Sequence, residues 1–273
     1  MVYFVGAGSG APDLITVRGQ RLLRKADVII YAGSLVNRQL LKEAKPGCKL
    51  HDSSGMTLEE VLAVMRRAEA RGLKTVRLHT GDPCLYGAIR EQMDALRESG
   101  IPFEICPGVS SYQGAAADLQ CEFTLPGVSQ TLILTRCPGK TAVPEKESLR
   151  SLAAHQASMV LFLSAGKEEA VVRELIAGGY PFDTPAAIAY HVGFSDEKLI
   201  RCRLDELPER AKEAGITRTA LLLVGGFLGD AYERSKLYDP GFSTGFRKAD
   251  PTAHLHETGS AGGEKTHKTP DGR

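Results

Sequence analysis

"VYFVGAGSGAPDLIT", residues 2–16, decides how the first part of this 273-residue chain is read. Four strand-forming residues run into a glycine-rich turn, and the chain leaves through Pro12 and Asp13 towards an apolar helical stretch. Gly6, Gly8 and Ala11 fit the G-x-G-x-x-G/A spacing of a dinucleotide-binding turn, whose glycines let backbone approach a pyrophosphate at a helix N-terminus. That fingerprint has a second requirement, an acidic residue ending the next strand to hold the ribose hydroxyls. The next strand here ends in Tyr31-Ala32-Gly33-Ser34, and Asp27 precedes it. Pro12 and Asp13 also stand where the fingerprint helix should already be running. The match is partial, and the rest of the chain decides what the loop serves.

Working outward, short apolar runs at 2–5, 28–31, 75–79 and 103–106 predict strands of a buried parallel sheet. Between them, 17–25, 57–71 and 87–99 carry apolar residues at helical spacing. "TLEEVLAVMRRAEARG", residues 57–72, contains its own boundaries: Thr57 as N-cap, Glu60 three residues later and Gly72 at the end. This alternation is the grammar of an open α/β sheet. A second half follows, with strands expected at 131–135, 158–163, 186–191, 198–203 and 220–224, and helices at 146–154, 167–177 and 204–213. The stretch 120–130, "QCEFTLPGVSQ", is the expected linker. The fold class is therefore α/β: two α/β domains, 1–119 and 131–245, with a ligand cleft between them. Beyond Phe246 there is one Leu and no Val, Ile or aromatic residue, which predicts a disordered tail over 246–273. His254 and His256 are read as solvated residues of that tail rather than metal ligands.

Composition narrows the partners. Lys and Arg total 34 against 33 Asp and Glu, a net charge of +1, so bulk electrostatics favour neither nucleic acid nor a membrane surface. No run of 18 apolar residues is present, so no spanning helix is expected. A strand that begins at residue 2 leaves no room for a signal peptide, and the expected location is cytoplasmic. Cys48, Cys84, Cys106, Cys121, Cys137 and Cys202 form no C-x-x-C pair and do not cluster with histidines, so reduced thiols and no metal site are expected. Gly139-Lys140-Thr141 ends like a P-loop, but Leu134 occupies the required earlier glycine position. Ser164 to Lys167 matches S-x-x-K without the partner motif of a penicillin-binding site.

Two further loops repeat the pattern of the first. "LHTGDPCLYGAIREQ", residues 78–92, leaves a strand, turns through Thr80-Gly81-Asp82-Pro83 and re-enters a helix. "CPGVSSYQGAAA", residues 106–117, leaves a strand through a Pro-Gly turn and two serines into an alanine-rich helix. Three small-residue loops on the carboxyl edge of one sheet make a polar cradle for a small cofactor, in the place where open α/β folds bind ligands.

In their order and spacing, "VGAGSGAPDLITVRG", "HTGDPCLYG" and "PGVSSYQGAAA" resemble the tetrapyrrole methylases, and the resemblance covers about residues 2–245. It implies methyl transfer from S-adenosyl-L-methionine to a ring carbon of a small-molecule tetrapyrrole, with no nucleic-acid or membrane partner and a homodimeric assembly. "YAGSLVN", residues 31–37, and "LPGVSQTLILTR", residues 125–136, resemble most the branch acting at C11 of precorrin-4 or its cobalt form in cobalamin synthesis. The glycine loop would then serve a methyl donor and not a nicotinamide. Ser9 stands where the family commonly has proline. By the same resemblance Thr80, Gly81, Asp82, Leu85, Ser110 and Ser111 match cofactor-contacting positions, joined from the second half by Leu163, Val192 and Ala220.

An activated sulfonium donor and an electron-rich acceptor need alignment more than acid–base groups, so neither a catalytic triad nor a metal is expected. Asp82 and Tyr86 are the candidates for orienting groups. A substrate bearing many carboxylates calls for basic side chains, and Arg18, Arg38, Arg90, Arg136 and Lys140 lie in or beside the relevant loops. Two alternatives remain open at this point. One is a sister enzyme of the same fold, such as a uroporphyrinogen-III or other precorrin methyltransferase. The other is a non-catalytic nucleotide-binding protein, against which the missing acid after Tyr31 counts.

Overall fold

A computed structural model describes residues 1–250 and 252–253. The first sheet contains β1 (Val2–Gly6), β2 (Val28–Tyr31), β3 (Lys49–Asp52), β4 (Thr75–His79) and β5 (Phe103–Cys106). Its order is β3-β2-β4-β1-β5 and every pairing is parallel. The period-2 alternation of side chains sorts the strand residues onto two faces. Val2, Phe4, Val28 and Ile30 pack with Val61, Leu62 and Met65 of α2 (Leu58–Glu69) and Leu96 of α3 (Arg90–Glu98). Val5, Ile29, Val76 and Leu78 pack on the opposite face with Leu23 of α1 (Val17–Lys25) and with Val36 and Leu40. Both faces are covered, which is why these strands read as unbroken apolar runs. The capping box expected on α2 is present: the Thr57 hydroxyl accepts from the Glu60 amide, and the Glu60 carboxylate accepts from the Thr57 amide.

After β5 the chain enters α4 (Ser111–Asp118), then a stretch over 120–130 with neither helix nor strand. The second sheet comprises β6 (Leu132–Arg136), β7 (Ser158–Phe162), β8 (Pro185–Tyr190), β9 (Lys198–Arg203) and β10 (Ala220–Val224), in the order β6-β7-β10-β8-β9. β6 and β7 run parallel, and the other pairs are antiparallel. One face is covered by α5 (Leu149–Ala153), α6 (Glu168–Ala177) and α7 (Leu207–Glu213). The other face receives α4: Ala115, with Leu119 just beyond the helix, is buried against Val160, Ala187, Ala189, Leu221 and Leu223. The helix that follows the first sheet is thus part of the core of the second, and the two halves are tied together.

Several local features depart from the sequence expectation: the helix expected over 146–154 is a 3-10 turn at Glu145–Glu147 followed by α5, and the one expected over 204–213 is a 3-10 turn at Leu204–Glu206 followed by α7. β3 was not anticipated, because "KLHD" is an edge strand with three of its four residues exposed and no apolar alternation. α3 begins at Arg90 rather than at 87, because Tyr86 and Ala88 adopt left-handed backbone (φ 56° and 49°) that a helix cannot contain. Among the described residues no helix is long and apolar enough to cross a membrane. Most of the tail expected over 246–273, including His254 and His256, lies outside the described residues.

Candidate active site

The loops after β1, β4 and β5 converge at the carboxyl edge of the first sheet. Gly8 and Gly81 exchange backbone hydrogen bonds of 3.3 and 2.9 Å. A Cβ on Gly6 would lie 2.5 Å from the Gly81 carbonyl and 2.6 Å from Gly108 Cα, and one on Gly10 would lie 2.1 Å from the Val192 carbonyl. Glycine is required at 6 and 10 for the approach of protein to protein. Asp82 fastens the same junction: its two carboxylate oxygens accept from the amides of Cys84 and Gly108, each at 2.8 Å.

Two cavities open beside this junction. The first, about 370 Å³, lies between the halves, with Ser9, Ser34, Thr80 and Ser111 on one side and Leu163, Val192, Phe194 and Ala220 among the residues on the other. Its walls are mainly apolar, and the buried hydroxyl of Ser9 has no hydrogen-bond partner among the described residues. His191 also lines it; Nδ1 is 2.9 and 3.0 Å from the Asp196 carboxylate oxygens, and the ring stacks on Tyr190 and Phe194. The hydrogen bond from His191 holds the Asp196 carboxyl below the usual range.

The second cavity, about 310 Å³, belongs to the first half and is lined by Arg77, His79, Leu85, Tyr86 and Gln92, among others. Leu35 and Thr80 line both cavities, so the two adjoin there. Burial pushes the Tyr86 phenol above its ordinary value. Burial, helped by Arg77, pushes His79 down to about 3. Backbone strain collects around these spaces: of seven non-glycine residues with positive φ among the described residues, Tyr86, Ala88, Leu163, His191 and Thr219 line one cavity or the other. Such clustering is a property of functional sites.

Residues 1–208 match the family model for tetrapyrrole (corrin/porphyrin) methylases. The chain belongs to that family. Among relatives of this methylase, the cobalt-precorrin-4 C(11)-methyltransferase of Methanocaldococcus jannaschii is 51% identical over 249 residues, covering 91% of this chain and 96% of the relative. An X-ray structure of a cobalt-precorrin-4 methyltransferase superposes with a TM-score of 0.82 at 44% identity, covering 84% of this chain and 96% of that one. A uroporphyrin-III C-methyltransferase from Thermus thermophilus, solved with S-adenosylhomocysteine, gives 0.69 at 27% identity over 83% of this chain and 92% of that one.

In this methylase the fold brings together Ser9, Thr80, Ser111, Leu163, Val192 and Ala220 around the first cavity, while Leu85 lines the second. Gly81, Asp82 and Ser110 stand behind the walls; Ser110 caps α4 in a capping box with Gln113. Of the orienting candidates, Asp82 faces backbone amides, and Tyr86 is half exposed with its ring 5.2 Å from that of Phe162. None of the five basic candidates lines either cavity. Arg18, Arg38 and Lys140 are exposed, and Arg90 pairs with Asp94 at 2.8 Å. Arg136 donates to the carbonyls of Thr141 and Ala142 at 3.2 and 2.7 Å, shaping its own loop. Sequence reasoning missed Arg77, His79, Gln92, His191 and Phe194. Arg77 lies inside "TVRLH", which signals only a strand; His79 and Gln92 stand within the quoted loop 78–92 without being singled out, and "HVGF" after β8 was the available sign for the last two.

Proposed function

We propose that this chain transfers a methyl group from S-adenosyl-L-methionine to C11 of cobalt-precorrin-4. The observation that carries the proposal is the pair of adjoining cavities meeting at Leu35 and Thr80, in a chain 51% identical to a relative named for that reaction. The first cavity fits the donor. Leu163, Val192 and Ala220 offer apolar walls to an adenosine, and Thr80 and Ser111 offer polar partners to the amino-acid end. When bound, the donor supplies an already activated methyl on a sulfonium.

What remains for the protein is placement. Holding donor and acceptor in line can supply up to about 7–11 kcal/mol of the barrier. Thr80 and Leu35, on the shared wall, set the distance between the two partners. Asp82 acts through the backbone by fixing the Gly81 turn against Gly108, and the Tyr86 phenol stays protonated at neutral pH. The proposal assigns no resident metal to the protein, and cobalt enters as part of the acceptor. It also takes a cytoplasmic homodimer from the family resemblance.

The test is incubation with radiolabelled S-adenosyl-L-methionine and one of three acceptors: cobalt-precorrin-4, precorrin-4 or uroporphyrinogen III. Stoichiometric label transfer to cobalt-precorrin-4 is expected. Preferred transfer to uroporphyrinogen III would assign the chain to the sister activity instead.

A further inference from the structure

The second cavity contains a charge without a counter-charge. Arg77, in the middle of β4, is 8% exposed. Its Nε donates to Gln92 Oε1 and its Nη1 to the Ile30 carbonyl, both at 3.3 Å, and among the described residues it forms no ion pair with any carboxylate. Burial lowers its pKa to about 10, which leaves it charged at neutral pH. A buried cation of this kind is costly unless something compensates it.

His79, two residues on along the same strand face and 5% exposed, is neutral and offers no compensation. Its Nε2 is buried without a partner among the described residues. The carboxylate on the cavity lining, Glu91, is exposed in the first turn of α3. Arg77 uses its guanidinium edge only in part: Nη2 has no partner among the described residues. A planar fork with free donors, facing a cavity of about 310 Å³, is the arrangement that takes a carboxylate.

We propose that this cavity is an anion subsite in which Arg77 binds one carboxylate arm of the methyl acceptor. The proposal rests on the tetrapyrrole reading and deepens it. Because the cavity adjoins the donor cavity at Leu35 and Thr80, an arm anchored on Arg77 fixes the rotation of the macrocycle about its own centre. Only one ring carbon then faces the donor. Charged residues on the outer loops would attract the acceptor without setting that rotation.

Gln92→Glu tests this with little change of shape, because it brings a carboxylate to the guanidinium from a side chain already bonded to it. Arg77→Gln removes the charge, and Arg77→Lys retains it without the fork. Binding is read with uroporphyrin III, a fluorescent tetrapyrrole with eight carboxylates, and S-adenosylhomocysteine binding reports an intact donor site. The wild type is expected to bind uroporphyrin III. Gln92→Glu and Arg77→Gln should bind it at least tenfold more weakly, with S-adenosylhomocysteine affinity within twofold and Arg77→Lys in between. In turnover, KM for cobalt-precorrin-4 should rise while KM for the donor stays.

If Arg77→Gln does not fold, Gln92→Glu decides. Unchanged uroporphyrin III affinity in Gln92→Glu, or no binding by the wild type, overturns the subsite. Intact binding without methyl transfer to cobalt-precorrin-4 overturns the acceptor assignment and leaves the subsite standing.

Discussion

Both carboxylate oxygens of Asp82 accept from backbone amides, Cys84 and Gly108, so removing them leaves two donors unpaired at the loop junction. Asp82→Ala should cost about 1–3 kcal/mol of stability, weaken S-adenosylhomocysteine binding through a loosened Gly81 turn, and affect Asp82→Asn less, since an amide keeps one acceptor. Denaturant unfolding beside calorimetry checks this; a stable variant with unchanged affinity would remove Asp82 from both roles. His79 gives a pH signature. Its folded pKa of about 3 lies below the unfolded value of about 6.5, so the unfolded chain binds the extra proton. The stability it contributes is complete above pH 6.5 and is lost as pH falls towards 3. Relative to His79→Leu, wild-type stability should decline below pH 6.5 by at most about 1.4 kcal/mol per pH unit. Parallel pH curves for the two proteins would show that His79 is not buried neutral.

At the scale of elements, α4 carries the contact between halves, and Gly114 faces Ser9. A Cβ there would lie 2.6 Å from Ser9 Cβ and 2.9 Å from Val192 Cγ1. Alanine gains roughly 0.5–1 kcal/mol of helix propensity at an interior position, yet the clash is with the first cavity's own wall. Gly114→Ala should therefore weaken S-adenosylhomocysteine binding several-fold, measured by calorimetry; tighter binding would mean that Ser9 has room to move. Much of the architecture was legible because strand and helix leave different periodicities. α1, β2, β4, β5, β9 and β10 coincide with their expected bounds: β2, β5 and β10 are mainly apolar runs, α1 carries its apolar residues at helical spacing, and β9 in part alternates between partly buried and charged positions. β3 was hidden because its stability comes from pairing to β2 rather than from burial. The three glycine-rich loops were visible as loops, but sequence could not show that Gly6 and Gly10 serve contact with protein while Ser9 faces the cavity. Arg77 was invisible for a related reason. A charged residue in an apolar strand gives no sign of whether it points to water or lies unpaired beneath a cavity.

Across the whole molecule, a parallel sheet and a mixed sheet share α4, and the first cavity takes one wall from each. A ligand bound there links the stability of both halves. At 100 times its Kd, S-adenosylhomocysteine should stabilise the fold by about 2.7 kcal/mol and raise one cooperative melting transition. Two separate transitions, with only one responding, would show that the halves unfold independently and that the ligand contacts one of them alone. On the proposed function, these adjoining cavities direct a methyl group to a single carbon of the acceptor. The most direct measurement is ¹³C NMR of the product made from cobalt-precorrin-4 and S-adenosyl-L-methionine labelled with ¹³C in its methyl group. One new labelled methyl, bonded to C11, is the expected result; label on another ring carbon, or none in the macrocycle, would contradict the claim.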